Sequence, residues 1–412
     1  MWRYSGIDRF DLDRYAPAPP APGDASALVG AARALADGLG ARSALVVTRN
    51  GVVEVVETAP DPGAALHVTS ARRGAEAPPG LGRLVSSAGG FDALHDAFVA
   101  DAVVVGVDRK AVVTDPVVVV HVIDGGDDDG PGLSVFPRTV VELGTSAEAG
   151  VLEVVLSRPD AGAPRPAGGA PGRGRPALVL PVTELEVGDD ARLRYASLQV
   201  LDGSCTSLAV QASRVGRDAT LRSFSAGLGG AYARVRTDSD LVGQAGRSAL
   251  LAAYLGTAEQ VHDFRTLQDH HAPRTESELL FRGAVADTAR SVYSGLIRIR
   301  TGARGANAMQ TNNNLVLSEG AHADSVPNLD IDENDVRCSH ASTVGPIDDE
   351  QRYYLESRGI EPAAAERLVV AGFFADLAGR APFPGVGAWL EEAVRNRLAG
   401  RLPAQRRSHD GG

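Results

Sequence analysis

The sequence predicts a mainly β protein whose core is a parallel β-helix. Between residues 116 and 345, short runs rich in Val, Leu and Thr recur, separated by Gly, Asp and Asn. Almost no helical period lies between these runs, which indicates an all-β region. The rough spacing of these runs, the small residues and the asparagines at 312–314 are typical of stacked solenoid turns, in which like residues can form ladders. A β-sandwich or jelly roll is the competing all-β fold.

Residues 1–115 have the mixed pattern of an α/β region. The segment "ASALVGAARALADGLG", rich in Ala and Leu, predicts a helix that ends at Gly40. The next segment, "SALVVTRNGVVEVVE", predicts a hairpin around Asn50-Gly51, a pair preferred in type I′ turns. The segment "GGFDALHDAFVADAVVVGV" predicts a helix followed by a strand.

Residues 346–412 predict a C-terminal helical region. The segment "DDEQRYYLESRGI" opens with acidic residues, as helices often do, and closes on Gly359. Pro362 stands early in the next helical pattern, and "GAWLEEAVRNRLAGRL" follows it. Within the β region, the Gly-rich and Pro-rich stretches at 123–132 and 158–176 predict flexible loops.

Composition excludes several functional classes. A net charge of -11 argues against general binding to nucleic acid, which requires a basic surface. No apolar run is long enough for a membrane span, and two cysteines are too few for a disulfide framework, so we expect a cytoplasmic protein. The single lysine, Lys110, is followed by Ala111, so the sequence contains no P-loop and we expect no nucleotide bound by this chain.

Two groups of metal-ligand residue types are ambiguous. Cys205 begins a predicted strand, where a buried and inert thiol is the favoured interpretation. His262, His270 and His271 stand close to Asp263 and Asp269, a density that could hold a metal ion. In a solenoid the same residues could instead bond backbone groups, and without a nearby thiolate this structural interpretation is favoured.

The segment "NDVRCSHAS" places Cys338 two residues before His340. In a strand, residues i and i+2 face the same side, so the thiol and the imidazole would stand next to each other. Both groups are good ligands for iron or zinc. Two ligands are fewer than a metal site usually needs, and spacing alone leaves a half-buried strand end as an equal alternative.

The segment "QTNNNLVLSEGAHADSVPNLDIDENDVRCSHASTVGPIDDEQRYYLESRGI" (310–360) resembles the SufB/SufD family, the scaffold components of the SUF iron–sulfur cluster assembly machinery. "DFRTLQDHHAPRTESELLFRGAVADTARSVYSGLIRI" (263–299) resembles it too, and the resemblance extends over about residues 180 to 375. "VRCSHASTVG" is similar to the SufD branch. SufB-type members have a Glu-containing string and a cysteine on the preceding strand, where this chain has Ala341 and one of Asn312–Asn314. The resemblance therefore implies that the thiolate expected to receive sulfur is missing here.

The resemblance implies a right-handed parallel β-helix flanked by an N-terminal α/β region and a C-terminal helical region. It implies a non-catalytic scaffold subunit that pairs with a SufB-type paralogue through the β-helix, with self-association as a homodimer left open. It also implies binding of a SufC-type ATPase through the C-terminal helices. Carried over residue by residue, His340 and Cys338 would help to hold iron or a nascent cluster, shared with ligands from the partner.

Two other functions are open. One is a β-solenoid hydrolase or lyase acting on polysaccharide with acidic residues such as Asp330, Asp332 and Asp335. Such enzymes usually stack sugars on aromatic side chains, and 2 Trp and 8 Tyr in the chain support this poorly. The other is a purely structural homologue in which Cys338 and His340 only pack.

Overall fold

The structure is a computed structural model that describes residues 11–19, 23–59, 65–72, 82–85, 89–125, 130–157 and 175–399. Parts of both predicted loops (126–129 and 158–174) and the C-terminal residues 400–412 lie outside the described residues.

The helices are α1 (Ser26–Leu39), α2 (Gly90–Phe98), α3 (Asp349–Ser357), α4 (Pro362–Gly379) and α5 (Pro384–Ala399). The strands are β1 (Tyr15–Pro17), β2 (Ala44–Arg49), β3 (Val52–Thr58), β4 (Leu66–Ser70), β5 (Val103–Val107), β6 (Val117–Ile123), β7 (Gly132–Val135), β8 (Arg138–Leu143), β9 (Glu148–Ser157), β10 (Ala177–Val179), β11 (Val182–Val187), β12 (Arg192–Val200), β13 (Cys205–Val215), β14 (Thr220–Gly227), β15 (Tyr232–Leu241), β16 (Arg247–Gly256), β17 (Val261–His270), β18 (Glu276–Val285), β19 (Arg290–Ile299), β20 (Asn307–Val316), β21 (His322–Ile331) and β22 (Arg337–Gly345).

The strands form two sheets that the chain visits alternately. The main path of the first sheet has the order β4-β5-β8-β11-β13-β15-β17-β19-β21, and the second sheet has the order β3-β2-β6-β9-β12-β14-β16-β18-β20-β22. From β8 and β6 onward, all neighbours on these paths run parallel, as in β15–β17 and β16–β18. Antiparallel pairing occurs at β2–β3 and β4–β5. This topology confirms the predicted parallel β-helix over the sandwich, because sandwiches are built from antiparallel sheets.

Each turn of the solenoid lies in register with the turn before it. Val261 pairs with Tyr232 on one side and with Arg290 on the other, so one turn here takes 29 residues. The solenoid has about seven turns. Because the period of a strand is two, alternate residues point into the interior, and each interior position lies over the same position of the previous turn.

Three helices, α1, α4 and α5, cover the outer face of the second sheet. Residues of α1, α4 and α5, including Leu28, Phe374 and Leu390, share one hydrophobic cluster with outward-facing residues of the sheet such as Leu152 and Leu251. Strands covered on both faces are expected to be apolar throughout rather than alternating. β6, with the sequence VVVVHVI, is buried at every position.

The N-terminal segments fold as predicted and join the solenoid. The hairpin β2–β3 turns at Asn50 and Gly51, which have φ values of 50° and 82°, as the type I′ turn requires. β2 also pairs in parallel with β6, so the second sheet continues across the predicted boundary at residue 115. That boundary stays a prediction.

The C-terminal helices begin where the sequence places capping residues. The Asp348 side chain accepts hydrogen bonds from the first turn of α3, and Glu361 caps α4, with Pro362 as its first residue. A buried arginine of α5, Arg397, donates to the carbonyl oxygens of Leu228 and Leu255 at a corner of the solenoid. Within the described part of the chain, no helix has the length and apolar character needed to cross a membrane.

Candidate metal centre at the open end of the β-helix

The last turn of the solenoid ends in two edge strands. In the described structure, β21 pairs with β19 and β22 pairs with β20, and neither has a second neighbour in its sheet. Each strand therefore presents a free row of backbone N–H and C=O groups on its outer edge. This open end contains the segment that carries Cys338 and His340.

The register shows which way Cys338 and His340 face. Cys338 pairs with Ala308, and His340 pairs with Gln310. Ala308 and Gln310 are buried interior residues of β20, whereas Met309 between them is exposed on the outer face. Cys338 and His340 thus face the interior side of the solenoid, as the i, i+2 spacing predicts. His340 is nonetheless exposed, because no further turn lies over it.

The environment of Cys338 favours the protonated thiol. The side chain is half-buried and packs against a small cluster that includes Ile297, Ile299 and Ala308. Burial raises the pKa of the Cys338 thiol above its ordinary value. At neutral pH it is therefore not an activated nucleophile, and a bound metal ion would have to displace its proton.

Polar side chains connect the open end with the interior. Ser342 on β22 donates a hydrogen bond to Ser325 on β21 at 2.7 Å, which bridges the two sheets. Ser325 donates to Asn312 at 2.8 Å, and the Asn312 amide donates to the Tyr254 hydroxyl at 2.9 Å. Asn314 donates to Asn312 as well. The asparagines do not pair with one another between turns, but their hydrogen bonds tie together the last turns of the solenoid.

An aromatic layer fills the interior beneath this polar network. Tyr254 and Phe264 stack with ring centroids 4.6 Å apart, and Phe281 makes edge contacts with Phe264 and Tyr293. On the far side of this layer lies a cavity of about 40 Å³, lined by residues that include Glu153, Thr183, Gln211 and His262. The aromatic layer separates this cavity from the open end.

Cys338 and His340 do not form a complete metal site by themselves. Among the described residues, the one group of three or more His, Cys or carboxylate side chains with ligand atoms within 4.8 Å of one another is Asp240, Asp269 and His271. Neither Cys338 nor His340 belongs to it. The structure therefore places the two predicted ligands on the same face of an exposed edge strand, and the described residues form no three-ligand group that includes them.

The three histidines near residue 265 lie in different environments. His262 and His270 are buried interior residues. Burial lowers the pKa of His270 to about 4, and its two ring nitrogens contact Thr275 and Ser277 at 2.8 and 2.9 Å. Burial, assisted by Arg397, lowers the pKa of His262 to about 3. Both rings are neutral at neutral pH. His271 lies outside the solenoid.

A buried polar network in the first turns was not recognised in the sequence. The His121 imidazole contacts Glu153 at 2.9 Å and Thr48 at 2.8 Å inside the solenoid. Glu153 also accepts hydrogen bonds from Thr183 and Tyr195. A polar residue within each of the apolar runs "VVVVHVI" and "VLEVVL" was the available signal. The network is buried on all sides and far from the open end.

Two of the remaining candidate residues, Cys205 and Asp330, have structural partners. Cys205 is buried, its sulfur lies 3.5 Å from the Ser157 hydroxyl, and burial raises its pKa. Asp330 faces outward and accepts a hydrogen bond from Arg298 at 2.9 Å. An aspartate held in this way is poorly placed to act as the acid of a carbohydrate enzyme.

Two exposed apolar surfaces accompany the site. At the open end, Leu329, Ile331 and Val344 are between 37% and 46% exposed. On the C-terminal helices, Tyr353 and Tyr354 of α3 are 73% and 57% exposed, and Leu368 of α4 is 52% exposed. Exposed apolar groups of this size often mark contact surfaces for other proteins.

Comparison with known proteins relates this architecture to one family. The sequence profile described as "SUF system FeS cluster assembly, SufBD core domain" matches residues 123–373. An iron–sulfur cluster assembly SufBD family protein of Mycobacterium tuberculosis is 37% identical over 223 residues, which cover 52% of this chain and 56% of the relative. The iron–sulfur cluster assembly protein SufD of Escherichia coli is 33% identical over 219 residues, or 53% of this chain and 51% of the relative. SufD of Bacillus subtilis is 32% identical over 218 residues, or 53% and 50%.

The chain spans about half the length of these curated relatives. The matched region contains the parallel solenoid from the end of β6 through β22, with α3 and most of α4. It includes the edge strand that carries Cys338 and His340. The chain belongs to the SufB/SufD family of the SUF iron–sulfur cluster assembly system.

Proposed function

We propose that this chain is a SufD-like scaffold subunit that takes part in iron–sulfur cluster assembly without catalysing a reaction by itself. The observation that carries the proposal is the position of His340. It is an exposed imidazole on the interior face of an edge strand, next to a second ligand type and without a third in the described structure. Such a half-site is completed most simply by ligands from another subunit.

The proposed partner is a SufB-type paralogue that docks on the open end. The free edges of β21 and β22 can extend both sheets by pairing with strands of another chain. The exposed side chains of Leu329, Ile331 and Val344 would be buried in that contact. Binding in this way would place partner residues directly over Cys338 and His340. A homodimer would use the same edges.

Iron or a nascent cluster is, in this proposal, the cargo of the shared site. Neutral imidazole and thiolate are both suitable ligands for iron. His340 is the more accessible of the two, and Cys338 would join after losing its proton to solvent or to a partner group. Because the ligands of one subunit are insufficient, cluster assembly would require the complex.

A SufC-type ATPase is the proposed second partner, bound through the C-terminal helices. The chain has no P-loop of its own, so nucleotide hydrolysis would take place on another protein. The exposed aromatic residues of α3 and Leu368 of α4 supply an apolar contact surface. Helix α4 is fixed to the solenoid by Arg282, which donates to Phe373 and Asp376, so movement of the helices could reach the sheets. The cytoplasmic location stays a prediction.

Co-expression tests this assignment. The chain is produced with a SufB-type and a SufC-type protein of a SUF system, and the complex is isolated through a tag on this chain. We expect both partners to co-purify, with iron and sulfide bound after anaerobic reconstitution. A chain that binds neither partner, and instead cleaves polysaccharide, would overturn the proposal in favour of the carbohydrate-enzyme alternative.

A further inference from the structure

A second group of ligand-type residues lies on the outer face of the first sheet. Asp240 of β15 and Asp269 of β17 are direct register partners on neighbouring strands. His271 follows the last residue of β17, and its backbone N–H donates to the carbonyl oxygen of Leu241 at 3.1 Å. The three side chains therefore start from backbone positions that the solenoid fixes, rather than from a mobile loop.

The distances among these side chains suit a single bound ion. The Nε2 atom of His271 lies 3.5 Å from Oδ1 of Asp269 and 3.9 Å from Oδ1 of Asp240. One ligand atom from each residue lies within 4.8 Å of the others. Two ligands of the same zinc or iron ion are roughly 3 to 4.3 Å apart, because each metal–ligand bond is about 2.0–2.2 Å long. Small side-chain rotations would bring all three into range.

Burial and charge distinguish this group from an ordinary exposed ion pair. The Asp269 side chain is only 3% exposed, whereas those of Asp240 and His271 are 48% and 31% exposed, so the group opens to solvent on one side. Two carboxylates held this close favour an additional cation.

The guanidinium of Arg300 already offsets part of this negative charge. Its Nε atom donates to one oxygen of Asp269 at 2.9 Å, and a terminal nitrogen donates to the other at 2.8 Å. The Arg300 side chain is 48% exposed, so it can rotate into solvent without leaving a buried gap. It pairs with Asp269 rather than with Asp240. A metal ion would compete with Arg300 for the Asp269 oxygens.

We propose that Asp240, Asp269 and His271 form a binding site for a divalent first-row transition-metal ion, with Arg300 as the competing cation. One imidazole and two carboxylates suit Zn²⁺, Fe²⁺ or Mn²⁺, whereas Ca²⁺ and Mg²⁺ favour oxygen ligands alone. The site is separate from Cys338 and His340, which face the interior of the last turn. It does not depend on the proposed role in cluster assembly.

Zinc titration tests the proposal on the full chain. Cys338→Ser and His340→Ala are first combined in one background chain, so that neither residue of the open end can supply a zinc ligand. We expect this background chain to bind one equivalent of Zn²⁺ in calorimetry. Asp240→Asn and His271→Ala should each weaken binding by at least tenfold, and Arg300→Ala should tighten it by about tenfold. The matched control is His322→Ala, which removes an exposed histidine paired with the single carboxylate of Asp324 at 3.1 Å.

The side chains of Asp240, His271 and Arg300 are all partly exposed, and circular dichroism of each variant checks that it is folded. Unchanged zinc affinity in either Asp240→Asn or His271→Ala would overturn the proposal. So would an Arg300→Ala chain that binds zinc no more tightly than its background. Anomalous scattering from a zinc-soaked crystal, with a peak among the three side chains, would support it, and a peak elsewhere would contradict it.

Discussion

His340 lies directly over Gln310 in the parallel register of β22 and β20, yet Gln310 is fully buried and His340 is exposed. Both residues face the interior of the solenoid. They differ in that a further turn covers Gln310 and none covers His340 in the described structure. The exposure of His340 is thus a consequence of where the solenoid stops, and a partner that continued the sheets would bury it.

Charges at the open end should prevent partner binding without unfolding the chain. In the combined variant Leu329→Asp and Val344→Asp, docking would have to desolvate two carboxylates, so we expect at least tenfold weaker binding to the SufB-type partner. Both side chains are partly exposed in the free chain, and its thermal unfolding should change little. The control is Met309→Asp, an exposed apolar position on the outer face of β20. Binding to the partner is measured by light scattering. Equal binding by the unsubstituted chain, the combined variant and Met309→Asp would argue against docking at this end.

Cys338 should react slowly with alkylating reagents. Burial raises its pKa, so the thiolate fraction at pH 7.5 is smaller than that of an ordinary cysteine, and only the thiolate reacts. We expect iodoacetamide to label Cys338 more slowly than a model cysteine peptide, and Cys205 more slowly still because it is fully buried. Mass spectrometry of peptides from the isolated chain measures both rates. Labelling of Cys338 faster than the model peptide would indicate an activated thiolate instead.

Arg397 should contribute strongly to the docking of α5. Its guanidinium donates to Leu255 at 2.9 Å, to Gln260 at 3.0 Å and to Leu228, all within a buried corner. Arg397→Ala would leave these acceptors unsatisfied, so we expect the free energy of unfolding to fall by about 3 kcal/mol. Arg395→Ala, which removes an exposed side chain 3.8 Å from Glu391, should change it by less than about 0.5 kcal/mol. Urea unfolding measures the free energy of unfolding of both variants. Equal losses in Arg397→Ala and Arg395→Ala would contradict the contribution of Arg397 to the docking of α5.

The buried histidines should make the fold sensitive to mild acid. Burial lowers the pKa of His95 and His270 to about 4 and that of His262 to about 3. Between the ordinary histidine pKa of about 6.5 and these values, the unfolded chain binds protons that the folded chain does not, so stability falls as pH falls. Each ring can contribute up to about 1.4 kcal/mol per pH unit.

Urea unfolding at pH 7, 6 and 5 measures this dependence. His270→Asn, which keeps polar contacts to Thr275 and Ser277 within reach, should reduce the slope by about one third. A free energy of unfolding that does not change between pH 7 and pH 5 would show that the buried rings do not remain neutral.

Much of the fold was predictable from local patterns. The hairpin at Asn50-Gly51 and the helix ends at Gly40 and Gly359 follow from turn and capping chemistry, which acts over a few residues. The solenoid was predictable from the succession of short strands without intervening helices. The pairing of the strands was not predictable. Parallel pairing joins residues about 29 positions apart, and no local pattern in the sequence identifies the partner of a given residue.

The candidate site was predictable in part. The shared face of Cys338 and His340 follows from the two-residue period of a strand, and the structure agrees. The exposure of His340 does not follow, since it depends on the end of the solenoid. The separation of His271 from His262 and His270 likewise required the structure, because it depends on β17 ending at His270. The partners of Asn312 and Asn314 also required the structure: these side chains bond Tyr254, Ser325 and each other.

The iron and acid-labile sulfide content of the assembled complex tests the central claim most directly. The chain and its His340→Ala variant are each co-purified with the same SufB-type and SufC-type partners. His67→Ala serves as the histidine control, because His67 is an exposed residue of β4, at the opposite end of the first sheet from β21. The account predicts intact complexes in all three cases and loss of most bound iron and sulfide in His340→Ala alone. Full cluster content in an intact His340→Ala complex would contradict it and would leave His340 as a packing residue.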